Sequence, residues 1–148
     1  MVAEQATERI VVRAVPERCY SVVTDFEHYP RWASDIKSVQ VLDRDGEGRA
    51  TSVAFRAAAF GRSTSYTLAY DYASAPEKLS WVQSAGDITT RLDGTYVFVP
   101  VGEDETEVVY HLVAELRVPI PGFVKRRAEG RIMGTALRNL RDRVESGA

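Results

Sequence analysis

The chain reads as an α+β protein, a strongly twisted antiparallel sheet of about seven strands whose aromatic face is turned toward one long C-terminal helix. Three observations give that class. From Ile36 to about residue 117 the side chains alternate with a period of two, bulky and aromatic on one face and small or polar on the other. The segments between those runs are short and carry turn chemistry, so consecutive strands are expected to be antiparallel neighbours. After them the pattern changes to helical spacing over one long stretch, roughly Pro121 to Glu145.

The elements follow in order. "ATERIVVR", residues 6 to 13, is a strand ended by Ala14-Val15-Pro16. Pro16 suits the first turn of a helix, where its missing N–H costs nothing. "PERCYSVVTDF" then places Cys19, Val22, Val23 and Phe26 at helical spacing, and "EHYPRWASD" is short and punctuated enough for only a brief second helix or turn. Strands are expected at about 36–43, 49–60, 62–73, 78–85, 88–99 and 106–117, separated by "RDGEG", Gly61, "SAPE", "AGD" and "VGEDE". Thr64, Tyr66, Leu68, Tyr70 and Tyr72 share one strand face. Leu92, Gly94, Tyr96 and Phe98 repeat the pattern, as do Val108, Tyr110, Leu112, Ala114 and Leu116. In the last helix Met133, Ala136, Leu137, Leu140 and Val144 form one stripe, with Arg127, Arg131, Arg138 and Arg141 opposite. A curved sheet around a single helix encloses more space than that helix fills. Because interiors are close-packed, the sheet and helix are expected to bound a ligand pocket.

Composition narrows the class further. The 148 residues suit one domain over 1–148, with an ordinary globular balance of 45% hydrophobic and 27% charged residues. A formal net charge of −2 gives no global basic field, so no nucleic-acid partner is expected. The single cysteine, Cys19, can make no internal disulfide and is read as a buried thiol. "MVAEQATERIVV" has early acids and no long apolar run, so no secretory signal and no membrane span are expected, and a cytoplasmic location is the default. His28 and His111 lie far apart without ligand spacing, and neither a phosphate-cradling glycine loop nor G-x-S-x-G occurs, so no metal and no cofactor are expected.

Four segments carry a resemblance: "VPERCYSVVTDFEHYPRWASDIKSVQVL", "LDGTYVFVP", "TEVVYHL" and "VPIPGFVKRRAEGRIMGTALRNLRDRVE". Together they resemble the START-like (SRPBCC) superfamily, and within it the polyketide cyclase/dehydrase and coenzyme Q-binding branch, over about residues 7 to 145. The resemblance implies the helix-grip fold, with a deep hydrophobic cavity between sheet and C-terminal helix. It does not imply one activity, because the superfamily includes lipid carriers, quinone-binding chaperones and aromatase/cyclases.

The candidate site follows from pattern and resemblance together. Trp32, Tyr66, Tyr70, Trp81, Tyr96, Phe98, Tyr110, Met133 and Leu137 are the expected ligand-binding residues, apolar surface with a few hydroxyls. Tyr29 and Trp32 are expected at the mouth with Phe26 packed beneath them. Extending the last helix's stripe backward from Met133 reaches Gly130, Glu129 and Arg126. Arg126 and Glu129 can pair three residues apart, as a polar handle at the pocket if that turn covers the sheet, or as solvated charges if it overhangs the edge. Arg91 and Arg56 are weaker candidates for the same role. The stripe Arg127, Arg131, Arg138 and Arg141, with Lys125, is a candidate for transient membrane-surface contact.

The function expected is binding of a hydrophobic small molecule: a lipid, an isoprenoid or quinone, or an aromatic polyketide. Two alternatives stay open. One is a polyketide cyclase/dehydrase, which needs convergent polar groups in the cavity. The other is an interaction or regulatory module whose pocket is vestigial.

Overall fold

A computed structural model describes residues 5–59 and 61–147. The expectations for the first four residues and for Phe60 lie outside the described residues. Seven strands form one antiparallel sheet: β1 (Ala6–Val12), β2 (Ile36–Arg44), β3 (Ala50–Ala59), β4 (Arg62–Asp71), β5 (Lys78–Gly86), β6 (Thr89–Gly102) and β7 (Glu105–Leu116), in the spatial order β1-β7-β6-β5-β4-β3-β2. Strands β2 to β7 are a meander, and β1 closes the far edge against β7. Between β1 and β2 come α1 (Pro16–Thr24), a 3₁₀ turn (Phe26–His28) and α2 (Tyr29–Trp32); α3 (Gly122–Glu145) ends the fold. This is the helix-grip architecture.

The alternation of the sequence sets the faces. Leu68, Leu79, Trp81, Phe98, Val108, Tyr110 and Leu112 are buried on the concave side, in one core with Met133, Leu137, Leu140 and Val144 of α3. α1 adds Cys19, Val22 and Val23 to the same core. Registers pair the large side chains across strands: Phe55 with Tyr66, Tyr70 with Trp81, and Tyr96 with Tyr110.

Two boundaries differ from the sequence reading. "VGEDE" is not a five-residue separator, since β6 runs on to Gly102 and β7 starts at Glu105. The register shifts between Pro100 and Gly102, and such a bulge accommodates a proline inside a strand. β4 stops at Asp71, where the Asp71 carboxylate accepts from the Ala73 N–H at 2.8 Å and turns the chain out of the ladder.

The antiparallel order gives the sheet two unlike rims. One carries the β2–β3, β4–β5 and β6–β7 turns; the other carries the β3–β4 and β5–β6 turns and the β7–α3 connection. No helix among the described residues is long and apolar enough to cross a membrane.

Candidate functional site

The concave face does not close fully on α3. A cavity of about 130 Å³ lies between them, or about 1020 Å³ of atom-free space when its open side is included. Its floor is Phe55, Tyr66, Tyr70, Trp81, Tyr96 and Tyr110; its front is Tyr29, Trp32 and Asp35; its roof is Ile132, Thr135, Ala136 and Asn139 of α3. Ala59, Thr64 and Thr89 carry the lining to the rim of the β3–β4 and β5–β6 turns.

The front is held by local chemistry. Two short helical turns around Pro30 bring Tyr29 and Trp32 together, ring centroids 5.0 Å apart. The Tyr29 hydroxyl donates to the Val23 carbonyl, a free acceptor at the end of α1. Phe26 is buried beneath, 4.5 Å from the Tyr70 ring and 5.4 Å from Tyr29. Asn139 of α3 ties the α2–β2 link to the roof, its Oδ1 accepting from the Ser34 N–H at 2.9 Å and the Ser34 hydroxyl at 3.0 Å.

The floor is a chain of rings. Tyr96 lies 4.6 Å from Tyr110 and 5.3 Å from Trp81, and Trp81 lies 5.9 Å from Tyr70. Unlike Tyr29 and Tyr72, the phenols of Tyr66, Tyr70, Tyr96 and Tyr110 make no hydrogen bond within the described residues. Among the described residues no buried polar side-chain atom is both sealed and unpartnered, so these four hydroxyls face open space in the cavity. Burial raises all four phenols above their ordinary value of 10.0, and neighbouring tyrosines add to the effect for Tyr66, Tyr70 and Tyr96. They are therefore neutral hydrogen-bond donors at physiological pH, not bases.

The lining is nearly free of charge. Asp35 is its one ionisable carboxyl, and no Lys, Arg or His lines it among the described residues. Asp35 makes no ion pair among those residues, and its negative charge helps to raise the Tyr66 phenol.

The expected residues are distributed as follows. Trp32, Tyr66, Tyr70, Trp81, Tyr96 and Tyr110 all line the cavity. Phe98, Met133 and Leu137 do not: they are 2%, 0% and 2% exposed and packed shut in the core. Phe98 stacks on Tyr96 at 6.3 Å and fills the far end against Tyr20. The Arg126–Glu129 handle does not form. Glu129 is 3% exposed and pairs with Lys125, four residues back, at 2.9 Å, while Arg126 is exposed. A Cβ on Gly130 would approach Glu8 of β1, so this turn of α3 lies over the β1 edge and away from the cavity. Arg91 sits outside with Asp93 at 2.8 Å and Glu115 at 3.8 Å, and Arg56 is exposed on the convex face. His111 is also on the convex side, its Nδ1 2.9 Å from the Thr7 hydroxyl, and His28 meets Asp25 at 2.7 Å.

Sequence reasoning missed the roof and the front acid. Ala136, counted on the apolar stripe, sits at its edge, and with Ile132 and Asn139 it forms a mixed stripe at helical spacing beside it. That spacing was the available signal. Nothing in the sequence marks Asp35 apart from other loop acids.

A profile of the family "Polyketide cyclase / dehydrase and lipid transport" matches residues 3–145. The chain belongs to that family. Among solved structures, a START superfamily protein from Mycobacterium smegmatis is similar at 28% identity and a TM-score of 0.92, over 97% of this chain and 99% of that one. A protein from Thermus thermophilus is similar at 26% identity and a TM-score of 0.81, over 98% of this chain and 99% of that one. The Zhui aromatase/cyclase from a Streptomyces species shares the fold, at 14% identity and a TM-score of 0.84, over 97% of this chain and 94% of that one. A comparison with curated protein sequences found no match. As a polyketide cyclase/dehydrase and lipid transport family member, the chain is a hydrophobic ligand-binding or cyclase-type protein.

Proposed function

We propose that the chain binds a neutral, ring-bearing hydrophobic molecule with carbonyl or hydroxyl oxygens, in the range of a quinone or an aromatic polyketide, and holds it without chemical change. The observation that carries this reading is the set of four unpartnered phenols facing an apolar cavity that has no cationic side chain among its described lining. Burial keeps these phenols protonated, so each has an O–H to donate to a carbonyl oxygen and none acts as a base at neutral pH. A ligand carboxylate would find no counter-cation there and would meet Asp35, so fatty acids fit poorly.

Magnitudes bound the ligand. The cavity's volume of about 130 Å³ is close to that of an engineered apolar cavity of about 150 Å³ that takes benzene. One ring therefore fits inside, and the rest of a larger molecule lies in the open part. Burying about 150 Å² of ring surface contributes roughly 4 kcal/mol before association costs. Even uncosted, that corresponds to no better than about millimolar affinity, so binding needs phenol hydrogen bonds at about 1 kcal/mol each and further apolar contact along the open side.

The cyclase reading is second, and Asp35 is what favours it. It is the one carboxylate at the cavity, electrostatically coupled to Tyr66, and a proton-transfer step would run through it. Turnover separates the readings: a protein that binds a poly-β-ketone without converting it supports the carrier, whereas turnover that Asp35→Asn abolishes with binding retained supports the cyclase.

Both tryptophans of the chain, Trp32 and Trp81, line the cavity, so their fluorescence reports occupancy directly. Titration with a naphthoquinone should quench it saturably, and a naphthoate of the same ring size should bind at least about tenfold more weakly through the unpaired charge. Equal affinity for the two would overturn the reading.

A further inference from the structure

The connection between β7 and α3 exposes apolar side chains among cations. In "RVPIPGFVKRR", residues 117 to 127, Val118 is 71% exposed, Phe123 64% and Val124 41%. Val118 and Phe123 are the two most exposed large apolar residues described. Pro119 and Pro121 stiffen the segment. The Arg117 guanidinium pins it to the β5–β6 turn, donating to the Gly86 and Asp87 carbonyls at 2.9 Å each. The side chains that protrude are thus held out on an ordered support.

Unpaired cations outnumber unpaired acids around them. Arg117, Arg126 and Arg127 have no carboxylate partner among the described residues, nor has Arg62 in the β3–β4 turn on the same rim. Of the acids nearby, Glu129 pairs with Lys125 and Glu115 with Arg91, while Asp87, held by the Thr64 hydroxyl and the N–H groups of Ser65 and Ile88, and Asp35 beside the β3–β4 turn keep their negative charge. The Arg126 guanidinium folds back over Gly122, beside Phe123. With four arginines against the carboxylates of Asp35 and Asp87, the rim is net cationic while the whole chain carries a net −2, so an anionic surface favours this rim over the remainder. Farther along α3, Arg138 donates to the Thr135 hydroxyl at 3.4 Å and Arg141 pairs with Asp142, while Arg131 is exposed one turn beyond Arg127.

From this we infer that the rim docks on an anionic bilayer, with Phe123, Val118 and Val124 entering the headgroup region and Arg117, Arg126 and Arg127 meeting lipid phosphates. Three protruding side chains are too few for a stable protein interface, which takes about 800 Å² per partner, but they suit shallow insertion between headgroups. The inference does not depend on what the cavity holds.

Flotation with vesicles of phosphatidylcholine, with and without phosphatidylserine, tests it on the full chain and without any cavity ligand. Co-flotation is expected only with phosphatidylserine. Phe123→Ser should lower it about tenfold through lost insertion, and Arg126→Gln with Arg127→Gln about 25-fold, at about fivefold per cation. Both sites are exposed, so the variants should keep the parent thermal midpoint, and that control excludes unfolding as the cause. Absence of binding to phosphatidylserine vesicles would overturn the inference. So would binding that Phe123→Ser leaves unchanged, or a concentration-dependent dimer that Phe123→Ser abolishes.

Discussion

Trp81 lies against the backbone of Gly94, its Cα partner on the neighbouring strand. An ideal Cβ on Gly94 would stand 2.7 Å from Trp81 Cε2 and 2.7 Å from the His111 carbonyl oxygen, with Trp81 Cζ2 closer still. The missing side chain is what lets the indole lie down and form cavity floor instead of filling the space above it.

Gly94→Ala is therefore expected to destabilise the protein by about 2 kcal/mol, since both the ring and a ladder carbonyl must move. It should also weaken quinone binding. Urea unfolding followed by circular dichroism measures the first effect and tryptophan quenching the second. An unchanged midpoint would show that the close approach is not needed.

The tyrosines should separate into two classes. Tyr29 and Tyr72 donate to the Val23 and Ala50 carbonyls, so replacing either with Phe should cost about 1 kcal/mol of stability. Tyr70→Phe and Tyr96→Phe remove phenols without a protein partner, and should leave stability within about 0.5 kcal/mol. The latter pair should instead weaken quinone binding about fivefold each, by loss of a hydrogen bond. Thermal denaturation and titration of the four variants check the division.

Alkaline pH should unfold the protein steeply. Burial pushes Tyr72 up to about 12 and raises Tyr29, Tyr66, Tyr70, Tyr96 and Tyr110 from their ordinary 10.0 as well. Above that ordinary value the unfolded chain loses phenolic protons that the folded chain keeps, so stability falls as pH rises. The contribution is complete below about pH 10 and is lost through the folded values, at up to about 1.4 kcal/mol per pH unit for each such tyrosine. Urea midpoints between pH 8 and 11 give the slope, which Tyr70→Phe should reduce. A flat profile would show that the phenols are already hydrated.

Lys125→Met strands the buried Glu129 carboxylate and is expected to cost about 2 kcal/mol, whereas Glu129→Gln with Lys125→Met together should recover most of the loss. The double-mutant cycle in urea is the measurement.

The strands and their faces were legible because a half-buried sheet imposes a period of two, as in Thr64, Tyr66, Leu68 and Tyr70, and short turns force a meander. The floor of the cavity followed from those faces. What could not be read was set by distance along and around α3. Its apolar stripe, including Met133 and Leu137, packs solidly, while the flanking Ile132, Ala136 and Asn139 look onto the cavity. A helical pattern gives relative angles but not which angle points at a gap. Glu129 had basic neighbours at three and four residues, and only the crossing of α3 over β1 selects Lys125. The expected strand end at about residue 99 is overrun, because a bulge carries β6 past Pro100 to Gly102.

The central claim is that the gap between the phenol-lined floor and α3 holds a neutral ring-bearing guest. Native mass spectrometry of freshly purified protein, followed by organic extraction, tests it most directly. The account predicts a stoichiometric non-covalent adduct that extracts as a neutral compound with aromatic or quinone absorbance. A fatty acid in that place, or an empty protein that turns over a poly-β-ketone, would contradict it.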